Sequence, residues 1–141
     1  MDDSEGAAAQ SERGVDEKRR QLEDLAEAAR QEFLLAGLPA VISSRVPAVA
    51  GVNIWLDHRQ DERATVFALW RPSHVLNDAS ATAVEELRFD DPALIHGGAI
   101  CESMIAAMLA ILVSAGFEVT MAQRELVPYS LDILAGPTRQ P

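Results

Sequence analysis

The residues of this chain with types and spacing suited to chemistry are His96, Gly97 and Gly98, which stand in a row before a long apolar run. A histidine can transfer a proton near neutral pH. Adjacent glycines let a substrate carbonyl approach backbone N–H groups, and such groups at a helix N-terminus stabilise a developing oxyanion. Glu102 is the nearest carboxylate. From the residues alone, the pattern is a single chemical hint, placed at the start of a helix.

The same tripeptide at the opening of a buried helix resembles the hotdog-fold acyl-CoA thioesterases, whose His-Gly-Gly motif begins the central helix that the sheet wraps. The strand expected after this helix is also similar to the next strand of that family. Where the family usually has its catalytic carboxylate, this chain has Ile105, so Glu102 would have to serve. The resemblance implies a thioesterase or acyl-binding protein that uses His96, Gly97, Gly98 and Glu102. It is the alternative function.

The sequence gives less evidence for a metal site or a reactive cysteine than for chemistry at His96. The three histidines, His58, His74 and His96, are far apart and lack the spacing of a zinc site. A zinc site built from His74, His96, Cys101 and Glu102 is conceivable, but we predict no metal and no cofactor. Cys101 is the single cysteine and lies in the apolar run, without a histidine–acid pattern to activate it. Such a cysteine is more often a core filler than a nucleophile.

The residues at its two ends predict the helix that would position these side chains. Asp90 or Asp91 can cap its N-terminus, and Pro92 fits the first turn. Gly116 fits the left-handed position past the C-terminus. A nearly unbroken apolar run lies between them and reaches Val113. The helix is apolar nearly all round, so we expect it to be buried on more than one side.

One narrow arc of this helix carries only small side chains, with His96 continuing the line, and would let another backbone approach closely. The first interpretation is packing within the chain, against the sheet or the first helix. The sharper alternative is the same helix of a second copy, related by a two-fold axis. The arc consists of Ala99, Ser103, Ala106, Ala110 and Ser114.

Alternating apolar and polar residues predict four strands in two hairpins. The first hairpin pairs residues 52–56 with 64–70 across a polar turn at 58–62. The second pairs residues 117–121 with 130–135. Trp55 and Trp70 lie on facing strands of the first hairpin, where they would anchor the core or an interface.

The other segments are less regular. Residues 38–50 contain Pro39 and Pro47 and form either a short edge strand or an irregular connection. A short helix capped by Ser73 could cover residues 74–79, followed by a second short helix or a loop. We therefore predict an α+β fold, with an antiparallel four-stranded sheet packed against the long apolar helix and an N-terminal amphipathic helix.

The domain boundaries follow from composition. Residues 1–14 are polar and acidic without periodic apolar positions, so we predict a disordered acidic tail. Residues 15–36 have apolar side chains at helical spacing and open a single α+β domain that covers residues 15–136. Residues 137–141 are predicted to be a flexible C-terminus.

Charge, apolar run length and cysteine count disfavour several classes of function. The chain has 141 residues and a formal net charge of −10, which disfavours nucleic-acid binding. The run from Met104 to Val113 covers about half of a bilayer-spanning helix, and the N-terminus does not resemble a signal peptide, so we expect no membrane partner. With one cysteine and no disulfide, a cytoplasmic location is expected.

The leading hypothesis is a non-enzymatic cytoplasmic protein-interaction domain, in an accessory, immunity or chaperone-like role, with an unknown protein partner and a homodimeric assembly. The interface candidates are Ala99, Ser103, Ala106, Ala110, Trp55 and Trp70.

Overall fold

The computed structural model of the chain describes residues 3–56, 66–122 and 129–137, without the side chains of residues 3–11 and 122. Within these ranges it forms three helices and five strands. The polar turn predicted at residues 58–62, most of the second predicted turn and residues 138–141 lie outside the described residues. The elements are α1 Asp3–Leu35, β1 Ala40–Ile42, β2 Gly51–Leu56, β3 Val66–Arg71, α2 His74–Glu85, α3 Pro92–Ser114, β4 Glu118–Ala122 and β5 Ser130–Ala135.

The fold is α+β, but its sheet differs from the predicted four antiparallel strands. The described residues form a five-stranded mixed sheet with the order β1-β2-β3-β5-β4. The strands of both predicted hairpins pair with one another, β2 with β3 and β4 with β5. The two pairs join through antiparallel pairing of β3 with β5, which places Ala68 opposite Leu131. The fifth strand, β1, pairs with β2 in parallel. It lies in residues 38–50, which were predicted to form either a short edge strand or an irregular connection.

The short strand β1 depends on a close approach between Pro39 and Gly51. The Val52 N–H donates to the Pro39 carbonyl oxygen at 2.8 Å. Gly51 has a φ of +121°, and a Cβ atom built on it would lie 2.7 Å from that same oxygen. Glycine adopts such a φ without a steric penalty, whereas an L-residue would be strained and would collide with Pro39. Gly51 therefore allows β1 to join the sheet.

The core lies between one face of the sheet and the helices α1 and α3. Register places alternate residues of neighbouring strands on this face, for example Ile54 opposite Ala68 and Val66 opposite Ile133. Helix α2 packs mainly on α3. The core residues are Ala26, Ala29, Phe33, Ala40, Ile42, Val52, Ile54, Val66, Ala68, Ile105, Met108, Leu112, Phe117, Leu131 and Ile133.

The helices follow their predicted ends in part. α3 begins at Pro92 behind the cap residue Asp91, and Gly116 has a φ of +91° just past its end, as predicted. α2 is one helix where two short segments or a loop were expected, and the Ser73 side chain makes no capping hydrogen bond. α1 begins at Asp3, so the stretch expected to be a tail continues this helix from residue 3 onward. The division into tail and domain stays a prediction.

Within the described residues α3 is buried along one side only, and its burial on a second side, by the same helix of a second copy, stays a prediction. Its buried residues are Gly97, Ile105, Met108 and Leu112, which lie along one side. The physical reason is that the sheet, α1 and α2 all contact α3 from that side. No other element among the described residues covers the opposite side, which remains apolar and exposed.

Candidate functional site

The N-terminus of α3 uses its own backbone donors. The Asp91 carboxylate accepts a hydrogen bond from the Ala93 N–H at 2.9 Å. The Asp91 carbonyl oxygen accepts from the N–H groups of Leu94 and Ile95 at 3.0 and 3.3 Å, and Pro92 has no N–H. Arg88 forms an ion pair with the Asp91 carboxylate. The helix start is thus a closed cap, with its first donors engaged inside the chain.

His96, Gly97 and Gly98 lie in the second turn of α3, because the helix begins at Pro92. Backbone N–H groups at these positions point along the helix axis towards carbonyls of the preceding turn. Only the first four N–H groups of a helix lack such partners, and these three residues come after them. The geometry therefore gives the glycines no role in holding a substrate carbonyl.

Gly97 instead allows α2 to pack closely on α3. A Cβ atom built on Gly97 would lie 3.2 Å from the Ser80 Oγ and 3.9 Å from Leu76. The Ser80 hydroxyl donates to the Ala93 carbonyl oxygen at 3.2 Å, which joins the two helices. Among the described residues, a Cβ atom built on Gly98 would meet the Tyr129 hydroxyl alone, at 3.9 Å. Gly97 thus lies in a close contact between the two helices, where an added methyl group would displace the Ser80 hydroxyl, whereas Gly98 does not.

The other residues considered for catalysis or metal binding do not converge on one site. His96 and Glu102 are both exposed, and their six-residue separation places them about 120° apart around the helix, so they do not face a common point. Cys101 is half-buried, its Sγ lies 3.7 Å from the Trp70 carbonyl oxygen, and burial raises the pKa of its thiol. Among the described residues, no group of three or more His, Cys, Asp or Glu could hold a metal ion.

A groove of about 390 Å³ lies elsewhere, between α1 and β1, and contains a charged cluster. Glu27 pairs with Arg30 at 2.9 Å and with Arg45 at 3.5 Å. A hydrogen bond from Gln31 and the two guanidinium groups lower the pKa of Glu27, against the effect of burial. Arg30 Nε also donates to the Ala40 carbonyl oxygen at 3.2 Å. These contacts hold the edge strand and the following turn to α1.

The largest unexplained feature is the exposed side of α3, which we call the outward face. All seven of its residues are exposed, including the two large ones, Ile95 at 64% and Val113 at 56%. The whole helix contains a single Asp, Glu, Lys or Arg, which is Glu102. The outward face consists of Ile95, Ala99, Glu102, Ser103, Ala106, Ala110 and Val113.

Length and composition alone would allow α3 to cross a membrane. One such helix is weak evidence for a span, since core helices of globular proteins pass the same test. Here α3 packs on a sheet through Ile105, Met108 and Leu112, which is the arrangement of a core helix. What distinguishes α3 from an ordinary core helix is that its second apolar side is uncovered.

An apolar corner adjoins the N-terminal end of α3. Leu87 is 72% exposed and Phe89 is 66% exposed, although both belong to the tight connection between α2 and α3. Leu87 has a positive φ of 58°, a conformation that costs a residue with a Cβ about 1–2 kcal/mol and that usually favours glycine or asparagine. A large apolar side chain thus occupies a strained position without being buried by the chain itself.

Of the six predicted interface residues, the structure brings four together. Ala99, Ser103, Ala106 and Ala110 share the outward face of α3. The two tryptophans separate, because their register places them on opposite faces of the sheet: Trp70 lies opposite Val52 on the helix side, and Trp55 lies opposite Phe67 on the other.

The sequence did not point to the buried polar side chain of Asn53, which is 1% exposed on β2. Its amide nitrogen donates to the Val49 carbonyl oxygen at 2.7 Å, and its oxygen accepts from the Val49 N–H and the Ser43 hydroxyl, both at 3.1 Å. Asn53 thus fixes the connection between β1 and β2. The strand pattern gave no sign of this, since a polar residue at an alternate position is typical of a solvent-facing site.

A scan against protein-family models and searches of curated proteins and of solved structures found no match for this chain.

Proposed function

We propose that the chain is a non-enzymatic protein-interaction domain of the cytoplasm that functions as a homodimer, in an accessory, immunity or chaperone-like role. The observation that carries the proposal is the outward face of α3, an apolar helix side with one charged residue on a chain of net charge −10. Exposed apolar surface that continues over a whole helix is typical of an interaction site.

The free energy of burying apolar surface favours a partner on the outward face. Burial of apolar surface stabilises a complex by about 25 cal/mol per Å². Ile95 and Val113 together with Leu87 and Phe89 expose more than half of their surface, so a partner that covers them gains several kcal/mol before the entropic cost of association. The acidic remainder of the chain keeps it soluble and makes non-specific contacts between copies unfavourable.

The acyl-CoA alternative receives less support from the geometry. An oxyanion site needs free N–H groups beside an open cleft, whereas the helix cap engages its own donors and Gly97 packs against Ser80. Glu102 and His96 do not converge. The alternative remains testable, because a thioesterase would lose its activity on loss of its histidine.

The test is the solution mass of the chain, measured by light scattering over a wide range of concentrations, together with hydrolysis of a series of acyl-CoA thioesters. We expect twice the mass of one chain and no hydrolysis above the buffer rate. A monomer at every concentration would contradict the homodimer. Hydrolysis that His96→Ala abolishes, while the variant keeps its circular dichroism spectrum, would favour the enzyme instead.

A further inference from the structure

We propose that the occupant of the outward face of α3 is the same face of a second copy, with the two helices antiparallel and Ala99 of one copy opposite Ala110 of the other. This inference rests on the proposed homodimer and specifies its geometry. The adjoining corner residues, Leu87 and Phe89, extend the contact at both ends.

The spacing of the residues along the helix is symmetric. Six exposed positions between Ile95 and Ser114 follow one another at steps of four, four, three, four and four residues, which is the same sequence of steps in both directions. The other exposed positions between them pair about the same midpoint, Glu102 with Ala107 and Val113 with His96. A two-fold axis midway between residues 104 and 105 therefore pairs each position with another member of the set. The set is Ile95, Ala99, Ser103, Ala106, Ala110 and Ser114, and the pairs are Ile95 with Ser114, Ala99 with Ala110, and Ser103 with Ala106.

Side-chain size suits this pairing. The two central pairs contain only alanine and serine, which let helix axes approach to about 8 Å. The larger Ile95 meets Ser114, and the one pair of larger side chains, Val113 with His96, lies near the ends of the helix, away from the central contact. Isologous contacts of this kind are the usual basis of two-fold dimers.

Charge argues for a second copy over a basic partner. A basic protein would gain from the acidic surface of the rest of the chain, whereas the outward face offers it only Glu102. Two copies of an acidic chain repel one another wherever charged surfaces meet, so they can associate only through a nearly neutral surface. In the proposed register Glu102 lies opposite Ala107, and the two Glu102 residues are offset by about 7.5 Å along the axis.

The outward face alone buries too little surface for a stable dimer, so the apolar corner at Leu87 and Phe89 must add to the interface. A helix of 23 residues is about 34 Å long, and a strip about 10 Å wide gives roughly 700 Å² for both copies. Stable interfaces bury at least about 1,200 Å² in total. Because the helices are antiparallel, the corner of each copy adds to the contact once at each end. This also accounts for the exposed leucine at a strained position, since Leu87 would be covered in the dimer.

Cysteine cross-linking tests the register directly, in a Cys101→Ala background that removes the single native thiol. The variants are Ala99→Cys, Ala110→Cys and Ala106→Cys, with Ala81→Cys on the exposed side of α2 as control. A disulfide requires Cα atoms within about 7 Å. In the antiparallel pair two Ala99 positions are about 16 Å apart along the axis, whereas Ala99 and Ala110 are level.

We expect Ala99→Cys and Ala110→Cys to cross-link under mild oxidation only when the two variants are mixed, one of them with a tag that changes its mass. We expect Ala106→Cys to cross-link alone, because its two copies are about 4.5 Å apart along the axis, and the α2 control not to cross-link.

Three outcomes would overturn the inference. If Ala99→Cys and Ala110→Cys each cross-link alone, the helices are parallel. If the chain has the mass of a dimer and no outward-face variant cross-links above the control, the dimer exists but uses another surface, and only the proposed geometry fails. If the chain is a monomer and no variant cross-links, the geometry and the homodimer fail together. Sedimentation of such a monomer with phosphatidylcholine vesicles would assign the face to lipid instead.

Discussion

The two glycines of α3 provide a matched pair of substitutions with different expected effects. Glycine in a helix interior is less favourable than alanine by about 1 kcal/mol. A Cβ atom on Gly98 would make an ordinary contact at 3.9 Å with the Tyr129 hydroxyl. Gly98→Ala should therefore stabilise the chain by close to the full amount, about 1 kcal/mol, which corresponds to roughly 4 °C in Tm for a chain of this size.

Gly97→Ala gains the same helix propensity but meets an obstacle. Its Cβ would lie 3.2 Å from the Ser80 Oγ, and that hydroxyl is held by its hydrogen bond to Ala93. Moving the hydroxyl away forfeits about 1 kcal/mol, so we expect a net change near zero. In a Ser80→Ala background the obstacle is absent, and Gly97→Ala should recover the stabilisation.

The assay is urea unfolding of the wild-type chain, the three single variants and the Ser80→Ala/Gly97→Ala double variant at one fixed concentration, since dimerisation makes apparent stability depend on concentration. The reasoning is refuted if Gly97→Ala stabilises as much as Gly98→Ala, or if Ser80→Ala does not change the effect of Gly97→Ala. Either result would mean that the contact between α2 and α3 does not require a glycine, and the tripeptide would again need a functional explanation.

Three further predictions concern other parts of the fold. Asn53→Ala removes the hydrogen bonds of the buried Asn53 amide to the Val49 N–H, the Val49 carbonyl oxygen and the Ser43 hydroxyl, and at about 1 kcal/mol per bond it should lower the free energy of unfolding by about 3 kcal/mol; a loss below about 1 kcal/mol in urea titrations would show that the connection between β1 and β2 does not depend on it. The pKa of Glu27 is lowered in the folded chain, so its contribution is present above its ordinary pKa of 4.5 and is lost as the pH falls through the lower folded value. Glu27→Gln should therefore reduce stability by only a few tenths of a kcal/mol at neutral pH, because Glu27 is 39% exposed, and should flatten the acid limb of the stability curve; an unchanged limb would contradict this. Burial raises the pKa of Cys101, so a disulfide reagent should react with it more slowly at pH 8 than with free cysteine, and equal rates would place the thiol in solvent.

Local signals made most of the elements predictable. The ends of α3 follow from Asp91, Pro92 and Gly116, whose types suit only those positions, and β4 and β5 follow from alternation. The strand β1 is three residues long, and its existence depends on a partner strand and on the approach that Gly51 permits. Such a long-range contact cannot be predicted from the local pattern of residue types. The sheet was therefore predicted with four strands and without a parallel pair.

The candidate site shows a different limit of sequence reasoning. The small-residue arc from Ala99 to Ala110 was visible in the sequence, but an all-round apolar helix gives no indication of which side the sheet covers. The buried side turned out to be the one with Ile105, Met108 and Leu112, where large side chains fill the core. Likewise His96, Gly97 and Gly98 matched a chemical motif by type, although Pro92, which the sequence already placed in the first turn, puts them in the second turn of α3.

The most direct test of the account is the solution mass of two variants that each add one carboxylate. Ala106→Glu places it at the centre of the outward face, and Ala81→Glu places it on the exposed side of α2. An unpaired charge in an interface costs at least about 3 kcal/mol, which weakens association about a hundredfold. We expect Ala106→Glu to be a monomer at concentrations where the wild-type chain and Ala81→Glu are dimers. A dimer that persists in Ala106→Glu would contradict the claim that this face is the interface.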